Sequence, residues 1–157
     1  MSSQISQHGV LLNISDLGVL IIGKSGIGKS ECAIELLTKK AYLIADDVVI
    51  IEKEDNSLIG RPPETIKNLI EIRGIGIINV KDIFGKTRIR AKSKIDLVVE
   101  LIEFTNNHDY ERLGYDKTYI ELLNTKVPHM KIPVSPGRNL STLIEIAVKK
   151  INAPCDD

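Results

Sequence analysis

Tryptophan is absent from the 157 residues, and Phe and Tyr together make up only 4%. The interior must therefore be aliphatic, built on Ile, Leu and Val. Excess charge is missing too: 21 Lys and Arg balance 21 Asp and Glu, for a formal net charge of zero. Nothing overall draws the chain to nucleic acid or an anionic membrane, although a local basic patch remains compatible with this balance. There are two cysteines, Cys32 and Cys155, far apart and outside any metal spacing. That argues against a disulfide framework or a zinc site and fits reduced thiols of the cytosol. No apolar run approaches the roughly 18–20 residues of a membrane span. The opening "MSSQISQHGV" lacks the charged and apolar regions of a signal peptide. Repeats and low-complexity tracts are also missing. What is present, 43% apolar and 27% charged residues, is the composition of a globular protein, and residues 1–157 fit one domain.

Along the chain, "GVLLNIS" and "LGVLIIG" read as two strands joined by a turn at Ser15-Asp16. "KSECAIELLTKK" changes to helical spacing, with Lys39 and Lys40 at its C-terminal end. "AYLIADDVVIIEKEDN" reads as a long strand or strand pair broken at Asp46-Asp47, and Pro62-Pro63 marks "SLIGRPPETIKN" as loop. "LIEIRGIGIINVKDIFG" reads as a strand interrupted by Gly74 and Gly76, then a helical turn. "KIDLVVELIEF" reads as another strand, at a length that also suits a helix, and "TNNHDYERLGYDKT" is polar and turn-rich. Three prolines predict an irregular loop for "VPHMKIPVSPGRN". Leu140, Leu143, Ile144, Ala147, Val148 and Ile151 then have the spacing of an amphipathic C-terminal helix. The expected class is strand-rich α/β or α+β with two sizeable helices.

The motif with the most chemical content is "GKSGIGKS", Gly23-Lys24-Ser25-Gly26-Ile27-Gly28-Lys29-Ser30, of the form G-x-x-x-x-G-K-[ST]. Chance matches are on the order of one in ten thousand per starting position at average residue usage. As a P-loop, its backbone N–H groups from Ser25 to Lys29 wrap the phosphates of a nucleotide. Lys29 adds a point charge, Ser30 offers its hydroxyl to Mg²⁺, and the following helix points its positive end the same way. A glycine-rich turn with an incidental Lys-Ser is the bland alternative.

Asp46-Asp47 ends the run "AYLIA", where an acid that serves Mg²⁺ belongs. One carboxylate can order the metal or its waters while the other accepts a proton from an attacking nucleophile. The same pair also suits a surface turn. Glu71 and Arg73, two apart in "IEIRGIGIIN", share one face of a strand and combine a metal-ligand carboxylate with a phosphate clamp. An exposed ion-pair face on an edge strand is the other reading. His8 has a structural or a catalytic reading, and Glu31 suits the helix's first turn as a cap or dipole partner. Arg112 and Arg138 are loop arginines that suit anion clamps or solvent.

Together these residues resemble the C-terminal catalytic domain of HPr kinase/phosphorylase. The resemblance runs from His8 to the C-terminal helix through "HG", "GKSGIGKSE", "LIADD", "EIRGIGIINV", "RLG" and "PVSPGRN". It implies a P-loop α/β fold related to phosphoenolpyruvate carboxykinase, and a Mg²⁺- and ATP-dependent kinase that phosphorylates a serine of the phosphocarrier HPr. Phosphorolytic return of that phosphate as pyrophosphate, a cytoplasmic location and a hexameric assembly are implied with it. On this resemblance Gly23 to Ser30 hold ATP, with Lys29 on the phosphates. Ser30 and Glu71 are metal ligands, and Asp47 is the general base and, in reverse, the acid. His8 and Arg112 match active-site positions, Arg73 lies in the block tied to both reactions, and Pro133 to Arg138 match the loop of the phosphorylase direction.

The chain departs from the family's pattern in carrying Lys24 where an acidic residue is common, which adds positive charge near the phosphates. It also reads as the catalytic domain alone, without the family's N-terminal domain, either as a short form or as a truncated chain. A nucleotide-binding regulator with decayed catalysis is the alternative from another class, and Asp47, Glu71 and Arg73 argue against it. A small-molecule kinase would need an enclosed acceptor pocket.

Overall fold

The computed structural model describes residues 4–104 and 118–152. Twelve strands, three α-helices and two short 3-10 helices are arranged there in three layers. The middle layer is a six-stranded mixed sheet in the order β11-β12-β10-β3-β2-β4. Its strands are β2 (Val10–Ile14), β3 (Leu17–Ile22), β4 (Tyr42–Ala45), β10 (Leu97–Glu103), β11 (Thr118–Leu122) and β12 (Thr125–Val134). β3, β10 and β12 run parallel, and β2, β4 and β11 pair antiparallel to their neighbours.

The apolar runs are nearly continuous because both faces of this sheet are covered. On one face Val10, Leu12, Val19, Ile21, Leu97 and Val99 pack with Cys32, Leu36 and Leu37 of α1 (Lys29–Thr38), and with Ile144, Ala147 and Val148 of α3 (Leu140–Asn152). The intervening Leu11, Leu20 and Val98 point to the other face and meet Val49, Ile51 and Leu58. Those three belong to an antiparallel four-stranded sheet, β1 (Gln4–His8), β5 (Val48–Glu54), β6 (Ser57–Arg61) and β9 (Ser93–Lys94), in the order β1-β5-β6-β9. A third, two-stranded sheet is the hairpin β7 (Leu69–Ile72) and β8 (Gly76–Asn79), which leads into the short helix α2 (Val80–Phe84), capped by the Asn79 side chain.

The expected strand-rich α/β class is the one found. The Ser15-Asp16 turn, the pair of strands around Asp46-Asp47, strand β10 and both sizeable helices form as their patterns predict. Four segments differ. The first strand begins at Gln4, not after His8; β1 is half polar because it is an edge strand with one face exposed. Ser57 to Arg61 form β6 directly before Pro62-Pro63, so the prolines terminate a strand without excluding it. "LIEIRGIGIIN" folds into a hairpin, and Arg73 therefore sits in its turn, not on a strand face with Glu71. "VPHMKIPV" lies in a ten-residue strand, β12. Among the described residues, Pro128 precedes the start of pairing with β10, and Pro133 lies beyond the end of pairing with β11. Each proline thus has one flank with no ladder to interrupt.

Gly18 marks the tightest crossing in the fold. Its N–H donates to Asp96 Oδ2 at 2.8 Å, and its carbonyl accepts from the Asp96 N–H at 2.8 Å. A Cβ there would overlap the Lys94 carbonyl, which is backbone and cannot swing aside. Gly18→Ala is expected to cost about 3 kcal/mol or more in urea unfolding, at the upper end of overpacking effects. An unchanged midpoint would mean that the crossing relaxes freely. Cys32 is free and buried, its thiol pushed up to about 12 by burial and then by Glu35, which leaves it inert. Among the described residues no helix is long and apolar enough to cross a membrane.

Candidate active site

The site opens at the C-terminal end of β3, where the chain turns into α1. Gly23 approaches Leu101 so closely that a Cβ would stand 2.9 Å from its carbonyl oxygen. Gly26 and Gly28 take φ of +85° and +116°, conformations in which a side chain is strained. Gly28 is also the N-cap of α1 and provides no capping side chain, so the N–H groups of the helix's first turn remain for an anion. Lys29 folds back over its own loop, its ammonium donating to the carbonyls of Gly23 at 2.7 Å and Lys24 at 2.9 Å. Burial lowers its pKa from the usual lysine value, and Asp46, Asp47 and Glu31 partly counter that.

The two aspartates of the pair have opposite surroundings. Asp46 is buried, with 5% of its surface exposed, and accepts hydrogen bonds from the Ser30 hydroxyl and the Glu71 N–H, both at 3.2 Å. Burial pushes its pKa above the usual carboxylate value, against the pull of these donors and of the Asp47 N–H. Asp47 is exposed and takes φ of +70°. The Val48 N–H bonds back to the Asp46 carbonyl at 2.8 Å, so Asp47 is the centre of a γ-turn, a rare and strained geometry that Asp tolerates better than most residues. Its carbonyl accepts from the Gly9 N–H at 3.1 Å, which ties the end of β1 to the acid turn and sets His8 beside it. Among the described residues the Asp47 carboxylate has no hydrogen-bond or ion-pair partner.

A cleft of about 480 Å³ joins these parts. His8, Ser25, Lys29, Ser30, Asp47, Glu71 and Arg73 all line it, although β1, the loop before α1, the β4–β5 turn and the β7–β8 hairpin are separate in sequence. Arg73 reaches the loop tip from its hairpin turn: a Cβ on Gly26 would lie 2.7 Å from the guanidinium. Gly74 and Gly76, at φ +83° and +106°, shape that turn.

Not every expected residue converges there. Lys24 turns its side chain out to an exposed ion pair with Glu103 of β10, so only its backbone serves the loop, and its charge is directed away from the cleft. Ile27 likewise lies outside the cleft lining. Arg112 falls outside the described residues. Arg138 is exposed on the turn before α3 and is not among the residues that line the cleft. Two further lining residues are Glu31, which the sequence suits to a cap or dipole role in the first turn of α1, and Asp46, which the sequence does not distinguish from Asp47. Nothing in "ADDV" says which aspartate turns inward; that is decided by the neighbouring Ser30 and Glu71.

A strand, a glycine-rich phosphate loop and a helix facing an acid turn define a P-loop α/β domain built to hold a phosphorylated ligand. The family model described as the HPr Serine kinase C-terminal domain matches residues 1–155. HPr kinase/phosphorylase of Geobacter sulfurreducens is 48% identical over 143 residues, which cover 90% of this chain and 45% of that protein. The Caldicellulosiruptor bescii protein of the same name is 47% identical over 148 residues, 94% of this chain and 48% of its own. The solved structure of the Hpr(Ser) kinase/phosphatase from Coxiella burnetii superposes with a TM-score of 0.83 at 32% identity, covering 94% of this chain and 90% of that one. The chain belongs to the HPr serine kinase C-terminal domain family. It spans a little under half the length of these curated relatives.

Proposed function

We propose that this domain transfers the γ-phosphoryl group of ATP, with Mg²⁺, to a seryl hydroxyl of an HPr-type phosphocarrier protein. The reverse chemistry in this reading is attack of inorganic phosphate on the phosphoserine, which releases the serine and pyrophosphate. The division of labour between the two aspartates carries the reading. Asp46 is engaged with Ser30 inside the cleft, while Asp47 stands exposed beside the phosphate loop.

A divalent cation fits the donors present. Ser30 and Asp46 put a hydroxyl and a carboxylate together, with the Glu71 carboxylate exposed on the same cleft. Among the described residues no three His, Cys, Asp or Glu groups form a cage, and Mg²⁺ in nucleotide sites uses one or two carboxylates plus phosphate and water. When bound, Mg²⁺ neutralises charge on the transferring phosphoryl group. Lys29 exchanges two backbone carbonyls for phosphate oxygens, and Arg73 stands over the loop tip as a second cation. Asp47 holds the proton of the incoming seryl hydroxyl and returns it to the serine oxygen in the reverse direction.

Asp47, Glu71, His8 and Arg73 are all exposed, so an acceptor carried on a protein surface can reach them. Under this reading Arg112 joins the site as the resemblance implies, the assembly is a homohexamer and the compartment is the cytoplasm. The test is incubation with ATP, Mg²⁺ and HPr, followed by mass spectrometry for phosphoserine. Addition of phosphate should then release pyrophosphate. Nucleotide binding with no phosphoserine on any HPr-type carrier would favour the regulator reading.

A further inference from the structure

The chain's neutrality hides a strongly basic segment. Five of the nine residues Lys86–Lys94 are Lys or Arg and none is acidic. The segment lies along β4, the edge of the six-stranded sheet, where the Arg90 N–H donates to the Leu43 carbonyl at 2.9 Å and Ile89 bridges Leu43. Arg90 and Arg88 both sit over the Tyr42 ring, at 4.0 and 5.5 Å from its centre. Among the described residues only Lys94 of the five has an acidic partner, Asp96 at 3.8 Å.

Among the described residues two guanidinium groups share one ring, flanked by lysines and with no acidic partner for either, so like charges stand together unbalanced. Such local conflicts concentrate at functional surfaces. We infer that this edge is a docking surface for an acidic protein segment, separate from the cleft and independent of the reaction proposed there. Among the described residues neither guanidinium has a carboxylate partner, and their N–H donors suit the bidentate pairing that carboxylates accept. Nucleic acid fits less well. The aromatic ring that could stack a base is covered by arginines, and a neutral protein supplies no wider positive field. Tyr42 begins the strand whose other end leads to Asp47, roughly 15 Å away at the rise of an extended chain. The surface is therefore outside the cleft yet on the same strand.

The test uses a fluorescein-labelled decaglutamate peptide and the full chain, read by anisotropy. Binding is expected to weaken at least about tenfold between about 50 and 300 mM salt, as exposed charge pairs do. It should weaken at least about tenfold in Arg88→Glu/Arg90→Glu. A control with the same charge change at distant exposed positions, Lys53→Glu/Lys126→Glu, should stay within about twofold of the parent. Lys86→Glu/Lys92→Glu, which leaves the ring contacts intact, carries the same expectation if the arginine variant fails to fold. The inference is overturned by absence of peptide binding or by equal loss in the control. Tighter binding of a single-stranded oligonucleotide or of phosphatidylserine vesicles through the same arginines also overturns it. So does a change of oligomeric state in the arginine variant, which would make this edge a contact between copies.

Discussion

Asp47→Asn is expected to lower phosphoryl transfer to the protein acceptor by about 10²–10⁴-fold, the usual worth of a positioned general base, while ATP affinity stays within about threefold. The amide keeps the size of the carboxylate but has no lone pair basic enough to take the seryl proton. Asparagine also tolerates the left-handed backbone that φ of +70° requires, so the γ-turn and its bond to Gly9 should persist. Alanine is the less clean probe, because it adds backbone strain to the chemical loss. Nucleotide affinity should survive because the contacts expected for the phosphates come from Lys29, the loop N–H groups and Ser30. Single-turnover transfer and calorimetric ATP titration separate these outcomes. The phosphorolytic direction should fall too, because the same carboxyl group would protonate the departing serine oxygen there. A transfer rate within about threefold of the parent would remove Asp47 as the base and return the pair to a structural turn.

The parts of the fold that were legible in the sequence are those in which one local pattern meets one local requirement. The loop Gly23–Ser30 is read from its glycines, and the structure shows Gly26 and Gly28 in conformations that restrict other residues. Helices α1 and α3 follow from spacing because each buries a single face. The misread segments are those where a neighbour decides. The prolines of β12 looked like loop because only the sheet order reveals that each has a free flank. The hairpin of β7 and β8 looked like one bent strand because nothing local distinguishes a kink from a reversal at Gly74 and Gly76. Lys24 looked like a cation on the phosphates until Glu103, about eighty residues on, claimed it. The cleft itself joins residues from β1, the phosphate loop, the acid turn and the hairpin, and no spacing in the chain encodes that junction.

Asp46→Asn should separate stability from function at this junction. Burial is the largest influence on Asp46, and it holds the carboxyl above its ordinary value of 3.8 despite the donors from Glu71, Ser30 and Asp47. An acid whose pKa rises on folding binds more protons in the native state than in the unfolded chain between those two values. Stability therefore falls as pH rises from 3.8 through the native pKa, and the deficit persists above it. Asparagine has no charge to desolvate and still offers an oxygen to the Glu71 N–H and an N–H₂ to Ser30. In metal-free, nucleotide-free protein near neutral pH, the variant should melt about 2–4 °C above the parent, and the gap should shrink as pH falls. Transfer should nevertheless drop at least about 100-fold, because an amide is a poor substitute for a carboxylate toward Mg²⁺. Adding Mg²⁺ with ADP should stabilise the parent more than the variant and reduce or invert the order of melting, since only ligand held by the native state adds stability. A variant that melts lower in the absence of ligand would mean that the two hydrogen bonds to the charged form outweigh its desolvation, and that Asp46 is a structural anchor first.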